Sequence, residues 1–109
     1  MTILSNRMTA FNLNVRSHCL SSRKPEHPGI FLERCYLKPL NISQSELARL
    51  LGISRRRVHE IIKGQRAISA DTAIRLARHF QTTPMFWLEK QQLWELYDAS
   101  RRFAKEGGK

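Results

Sequence analysis

Residues 43–64 read SQSELARLLGISRRRVHEIIKG, and the punctuation of this stretch leaves little choice of local structure. Ser43 with Glu46 makes the S-x-x-E pattern of a capping box, in which the two side chains satisfy backbone N–H groups at a helix start. Leu47, Ala48, Leu50 and Leu51 follow, and then Gly52, which supplies the conformation a sharp reversal needs. Ser54 is placed to cap a second helix. At about 100° per residue, Val58, Ile61 and Ile62 gather on one side of that helix, and Gly64 is placed to close it. Two short helices must therefore meet across a three-residue turn, with Ala48 small where the second crosses the first.

The flanking sequence extends the pattern. Arg23-Lys24-Pro25-Glu26-His27-Pro28-Gly29 is a polar, proline-punctuated boundary. Beyond it, Phe31, Leu32, Cys35 and Tyr36 form a helical apolar stripe that Pro39 is expected to end. Ser69 with Asp71 in the first turn opens a helix with Ala73, Leu76, Ala77 and Phe80 on one face. Thr83-Pro84 pairs an N-cap with proline at the first helical position, and the helix it opens runs past Tyr97 toward Lys105. No strand-type alternation is present. The expectation is one all-α domain of five helices over residues 26–105, preceded by a flexible basic tail at 1–25. A chain of 109 residues has room for one compact core and not two.

The charge is large and uneven. Nineteen Lys and Arg against nine Asp and Glu give +10, which points to a polyanionic partner. Residues 43–81 hold eight of the basic residues against three acids, the densest excess in the chain. The two helices there have the spacing of a helix-turn-helix. Arg55, Arg56 and Arg57 crowd the first turn of the second helix, where the helix dipole disfavours a cation by about 0.3–1 kcal/mol. That arrangement makes sense if the turn enters a major groove, where phosphate offsets both the side chains and the dipole. Either Arg55 or Arg56 is placed to fork onto a guanine instead, a contact worth about 1–3 kcal/mol in base discrimination. His59, Glu60 and Lys63 share that outward side. His59 suits a base or phosphate. Glu60 suits a cytosine amine, although pairing with Arg56 or Lys63 is its simpler role. Gln44 at the start of the first motif helix and Arg66 after Gly64 are phosphate candidates.

The last helix carries Phe86, Leu93 and Tyr97 on one face, with Trp87 and Trp94 at its border. So wide an apolar surface exceeds what one small core covers, and these five residues are expected to form a dimer interface. A two-fold dimer sets its recognition helices one DNA turn apart, about 34–36 Å, on a palindromic site.

Other chemistries are excluded or unsupported. "HEIIK" has Lys63 where the zinc-protease pattern H-E-x-x-H requires its second histidine. His18-Cys19, His27 and Cys35 lack metal-site spacing. No glycine-rich phosphate loop or catalytic triad can be placed, so no catalytic residue, cofactor or metal is expected, and the chain reads as a non-enzyme. Cys19 and Cys35 form no secreted-type framework, which favours a reduced cytoplasmic protein. No apolar stretch approaches the length of a membrane span.

Three stretches together, HPGIFLERCYLKPL, ISQSELARLLGISRRRVHEIIKGQRAISADTAIRLARHF and TTPMFWLEKQQLWEL, resemble the HigA-type antitoxins of bacterial toxin–antitoxin pairs, within the phage-repressor-like (XRE) helix-turn-helix class. The middle stretch alone supports only the DNA-binding class; "HPG" and "TPMFWL" narrow it. The resemblance implies a repressor-like five-helix homodimer that binds a palindromic double-stranded DNA operator in its own promoter and masks a small ribosome-dependent RNase toxin of the RelE-like kind. It implies a bacterial cytoplasmic protein, on the nucleoid when DNA-bound. Ser43, Gln44, Ser54, Arg55, Arg56, His59 and Lys63 match positions such domains use on DNA. The chain departs from the family at Ile30, where an acid is common, at Lys90, where an apolar residue is usual, and at Trp94, which replaces Tyr. Two other functions fit the same residues. One is a solo phage-type repressor with no toxin. The other is a toxin-neutralising interaction module whose helix-turn-helix does not read DNA.

Overall fold

A computed structural model describes residues 24–107. The sequence-expected tail, residues 1–25, lies almost wholly outside them. Five helices follow one another through short turns. The first, α1, is composite: an α-helical turn Pro28–Leu32, a π-helical turn Glu33–Leu37 and a final turn Lys38–Leu40. Then come α2 (Gln44–Leu51), α3 (Arg55–Ile62), α4 (Ala70–Phe80) and α5 (Pro84–Gly107).

The cap residues read from the sequence are in place. Ser43 Oγ accepts from the Glu46 N–H at 3.1 Å, and Ser54 Oγ accepts from the Arg57 N–H at 3.0 Å. Ser69 Oγ and Thr83 Oγ1 do the same for Thr72 and Phe86. Each hydroxyl satisfies a backbone donor that the first turn of a helix leaves without an intrahelical partner. Gly52 turns the chain after α2 with φ 73°, and Gly64 does so after α3 with φ 76°.

Pro39 does not end α1, contrary to expectation. The π turn before it closes through the Lys38 N–H to the Glu33 carbonyl, five residues back. This wider turn relieves the clash a proline ring makes with the carbonyl four residues before it. The helix persists to Leu40 and stops at Asn41, which takes the left-handed conformation at φ 57°. Cys35 also departs from expectation: it is fully buried and disulfide-bonded, not a free thiol.

The core is aromatic at its centre. Phe31 and Tyr36 of α1 meet Trp87 of α5 at centroid distances of 6.0 and 5.6 Å, and Phe80 of α4 lies 4.9 Å from Tyr36. Tilted and edge-on aromatic pairs add about 0.5–1.5 kcal/mol beyond burial alone. Trp87 Nε1 donates to Thr82 Oγ1 at 2.6 Å, which removes the cost of burying an indole N–H. Leu47, Ala48 and Leu51 of α2 and Val58, Ile61 and Ile62 of α3 join the core with Ile68, Ala73 and Leu76, whereas Leu50, grouped with the α2 residues by sequence, is exposed.

Sequence alone gives no account of the "HPG" run, and packing supplies one. Gly29, in the first turn of α1, lies on the backbone of Ile61 near the end of α3. A Cβ at Gly29 would overlap the Ile61 carbonyl oxygen. His27 caps α1, its Nδ1 accepting from the Gly29 N–H at 2.9 Å, and its ring is also bonded to the Arg66 backbone. Trp94 of α5 closes over it edge-on at 6.1 Å. One buried imidazole thus joins the start of α1, the loop after α3 and the side of α5. Gln91 pins the same loop, accepting from the buried Ile68 N–H at 2.9 Å.

Two outcomes test this junction. Gly29→Ala should destabilise the fold by at least about 1–3 kcal/mol, because the obstacle is backbone and not a flexible side chain; thermal unfolding reads it. Burial lowers the His27 pKa below its ordinary 6.5, the bond to Arg66 and the charge of Glu95 opposing it only in part. The unfolded chain therefore binds the proton first as pH falls. The stability His27 confers is present above pH 6.5 and is lost as the pH drops through and below that value. Wild-type melting temperature should fall between pH 7 and pH 5 by more than that of His27→Gln.

Candidate nucleic-acid interface

The apolar stripe of α3 faces inward, so its other side must face out. Arg55, Arg56, His59 and Lys63 are exposed there. Arg56 has 86% of its side chain exposed. Among the described residues Arg55 and Lys63 have no ion pair. Gln44, the first residue of α2, lies beside this surface, its Oε1 3.2 Å from His59 Nδ1. The start of α2 and the middle of α3 thus form one continuous polar face. Ser43 and Ser54 border it, each accepting a capping bond.

Arg57 is not part of this face. It is the third arginine of the run, and helical rotation turns it back toward α4. Its Nη2 donates to Asp71 Oδ2 at 2.9 Å and to the buried Thr72 Oγ1 at 2.6 Å. Here Arg57, grouped by sequence with Arg55 and Arg56 as a DNA ligand, braces α3 against α4. Arg75 extends the brace, donating from Nε to Asp71 Oδ2 at 2.9 Å and from Nη1 to the Leu51 carbonyl at 2.7 Å. The second bond satisfies an orphan carbonyl at the end of α2. Bonds from Arg57 and then Arg75 hold the Asp71 carboxyl below its usual pKa. Sequence reasoning missed this network. The Asp71–Arg75 spacing of four was a visible signal; the pairing of Arg57 with Asp71, fourteen positions apart, was not.

Glu60 is the second unexpected centre. Its Oε2 accepts from Arg56 Nε at 3.1 Å and its Oε1 from Arg66 Nε at 2.8 Å. The Arg56 pairing is the one the spacing suggests; Arg66, in the loop after α3, takes the place expected of Lys63. Bonds from Arg66 and then Arg56 lower the Glu60 pKa, so the carboxylate stays ionised at neutral pH.

The residues assigned to a dimer interface separate into two groups. Trp87 is fully buried in the core and has no surface to offer a second chain. Phe86 packs half-buried against that core, beside Lys90, whose Nζ sits 4.1 Å from the Phe31 ring centroid. Lys90 thus lies over an aromatic face at a position where the family is usually apolar. Trp94 and Tyr97 are half-buried and pair at 6.0 Å. Leu93 is 57% exposed, and Leu96 and Phe103, which were not assigned, are 61% and 75% exposed. Ile30, where the family commonly has an acid, is exposed at the edge of α1. Among the described residues no group of three or more His, Cys, Asp or Glu could hold a metal, and no helix is long and apolar enough to cross a membrane.

Residues 36–88 match the helix-turn-helix family model. Virulence-associated protein I of Dichelobacter nodosus is 44% identical over 70 residues, covering 64% of this chain and 65% of that protein. Among solved structures, an addiction module antidote protein of the HigA family from Coxiella burnetii superposes with a TM-score of 0.71 at 40% identity, over 76% of this chain and 90% of that one. The Pseudomonas aeruginosa antitoxin HigA, solved with the higBA promoter, matches with a TM-score of 0.67 at 40% identity, over 78% and 89% of the two chains. The fold, the outward basic helix and these likenesses agree: this chain belongs to the HigA-type antitoxins, a non-enzymatic family of the XRE helix-turn-helix class.

Proposed function

We propose that this chain is a sequence-specific DNA-binding antitoxin that represses its own operon and neutralises a small RelE-like RNase toxin. The observation that carries the DNA half is the outward face of α3, where Arg55 and Lys63 have no ion pair among the described residues and the start of α2 adjoins. On this reading the first turn of α3 enters the major groove. Arg55 and Arg56 meet phosphate or guanine, and Gln44 and the caps at Ser43 and Ser54 lie along the backbone. Arg66 and Lys63 add phosphate contacts, and His59 is held for the groove by Gln44. A relative of this chain has been solved with its promoter, which supports the reading.

Repression needs two recognition helices at the spacing of a palindrome. The exposed Leu93 and Leu96, flanked by Trp94 and Tyr97, give α5 an apolar edge for a second copy, without Trp87. The domain so used runs from residue 26 to residue 105, and the protein works in the bacterial cytoplasm on the nucleoid. The toxin half rests on the family and not on a surface of this chain.

Binding to a duplex carrying the region upstream of its own reading frame, measured against a random duplex, tests the DNA half. Arg55→Ala with Arg56→Ala should weaken specific binding at least tenfold, given about 1–3 kcal/mol for each good base contact. Arg57→Ala should lower the unfolding midpoint while leaving affinity within about twofold, since its partners are Asp71 and Thr72. Full affinity in the double variant would move the recognition surface elsewhere. For the toxin half, the adjacent small reading frame is induced alone and then together with this protein. Growth arrest relieved by co-expression is expected. Arrest that this protein leaves in place would reduce it to a repressor.

A further inference from the structure

Glu60 is the one acidic residue of α3, and it lies at the edge of the outward face with 22% of its side chain exposed. At about 100° per residue it lies about 40° around the helix from Arg56, on the side away from the buried stripe of Val58, Ile61 and Ile62. A carboxylate there works against binding any polyanion. Both of its oxygens are engaged, and by arginines of different elements: Arg56 on the helix and Arg66 on the loop. The pairing removes two cations from the charge that the face offers to phosphate.

We propose that Glu60 sets the discrimination of this face between its own site and random DNA, a role that rests on the DNA-binding reading above. On any duplex, phosphates compete with Glu60 for Arg56 and Arg66, and releasing the arginines leaves a bare carboxylate at the groove. The major-groove edges of guanine and thymine offer it only acceptors. Cytosine N4 and adenine N6 are donors. A site with one of these amines opposite Glu60 restores a partner to the carboxylate, and a random site leaves it repelled. Discrimination thus comes from a penalty on wrong sequences rather than from added affinity for the right one.

The full-length protein carrying Glu60→Gln tests this, with binding measured across a KCl series on two probes, a random-sequence duplex and the duplex from upstream of its own reading frame. Gln forms helix as well as Glu and has the same size and an acceptor oxygen for this half-buried position, so the variant keeps its fold; circular dichroism at the assay temperature checks it. On the random duplex Glu60→Gln should bind about 3–10-fold tighter, with a salt slope steeper by about one, as the freed arginines release further counterions. The preference for the upstream duplex should shrink. Glu60→Asp keeps the charge and should hold random-duplex affinity within about twofold of wild type. Unchanged random-duplex affinity and slope in Glu60→Gln would overturn the proposal, as would a Glu60→Asp variant that behaves like Glu60→Gln. A wild-type protein with no preference for its upstream duplex is the separate failure, that of the DNA-binding reading itself, and the proposal falls with it.

Discussion

The first turn of α1 rests on the Ile61 carbonyl with no room for a side chain between them, and the position of the basic face depends on that approach. Only glycine at position 29 lets the two backbones close to this distance. His27 then secures the approach from both sides, capping α1 through the Gly29 N–H and bonding to the Arg66 backbone. Protein interiors are dense enough that a displacement at such a junction is passed on to the elements it joins. Arg66, Gly64 and the end of α3 are therefore placed by the start of a helix more than thirty residues earlier in the chain.

A second anchor fixes the other end of α3. Arg57, Asp71, Arg75 and the Leu51 carbonyl connect the second, third and fourth helices around the turn at Gly52. The ion pairs are largely exposed, and exposed pairs contribute little stability by themselves. Their effect is geometric. Arg57 is held by Asp71 and by the buried Thr72, which ties α3 to α4, while the buried Val58, Ile61 and Ile62 set which side of α3 faces out. Of three consecutive arginines, one braces α3 against α4, one pairs with Glu60, and one has no ion pair among the described residues.

The same division of labour answers why cations crowd the positive end of a helix dipole. Arg57 is compensated within the protein by Asp71, and Arg56 by Glu60. Arg55 has no such partner among the described residues, and on the DNA-binding reading proposed above a phosphate supplies one. Glu60 makes the face less uniformly cationic than a count of its arginines suggests.

The sequence by itself determined the order and limits of four of the five helices. Capping hydroxyls at Ser43, Ser54, Ser69 and Thr83 and the glycines at 52 and 64 act over a few residues, and local chemistry of that range is legible in a string of letters. It also determined which face of α3 is apolar, because helical periodicity needs no tertiary partner. The course of α1 past Pro39 lay outside that range, since a π turn is a response to strain and not to a local signal. Tertiary structure alone decided that Arg57 turns inward, that Glu60 bridges to Arg66, that Trp87 belongs to the core, and why "HPG" reads as it does. Each of those is a contact in three dimensions between residues whose partners are set by how the helices cross, and spacing along the chain carries no record of the crossing.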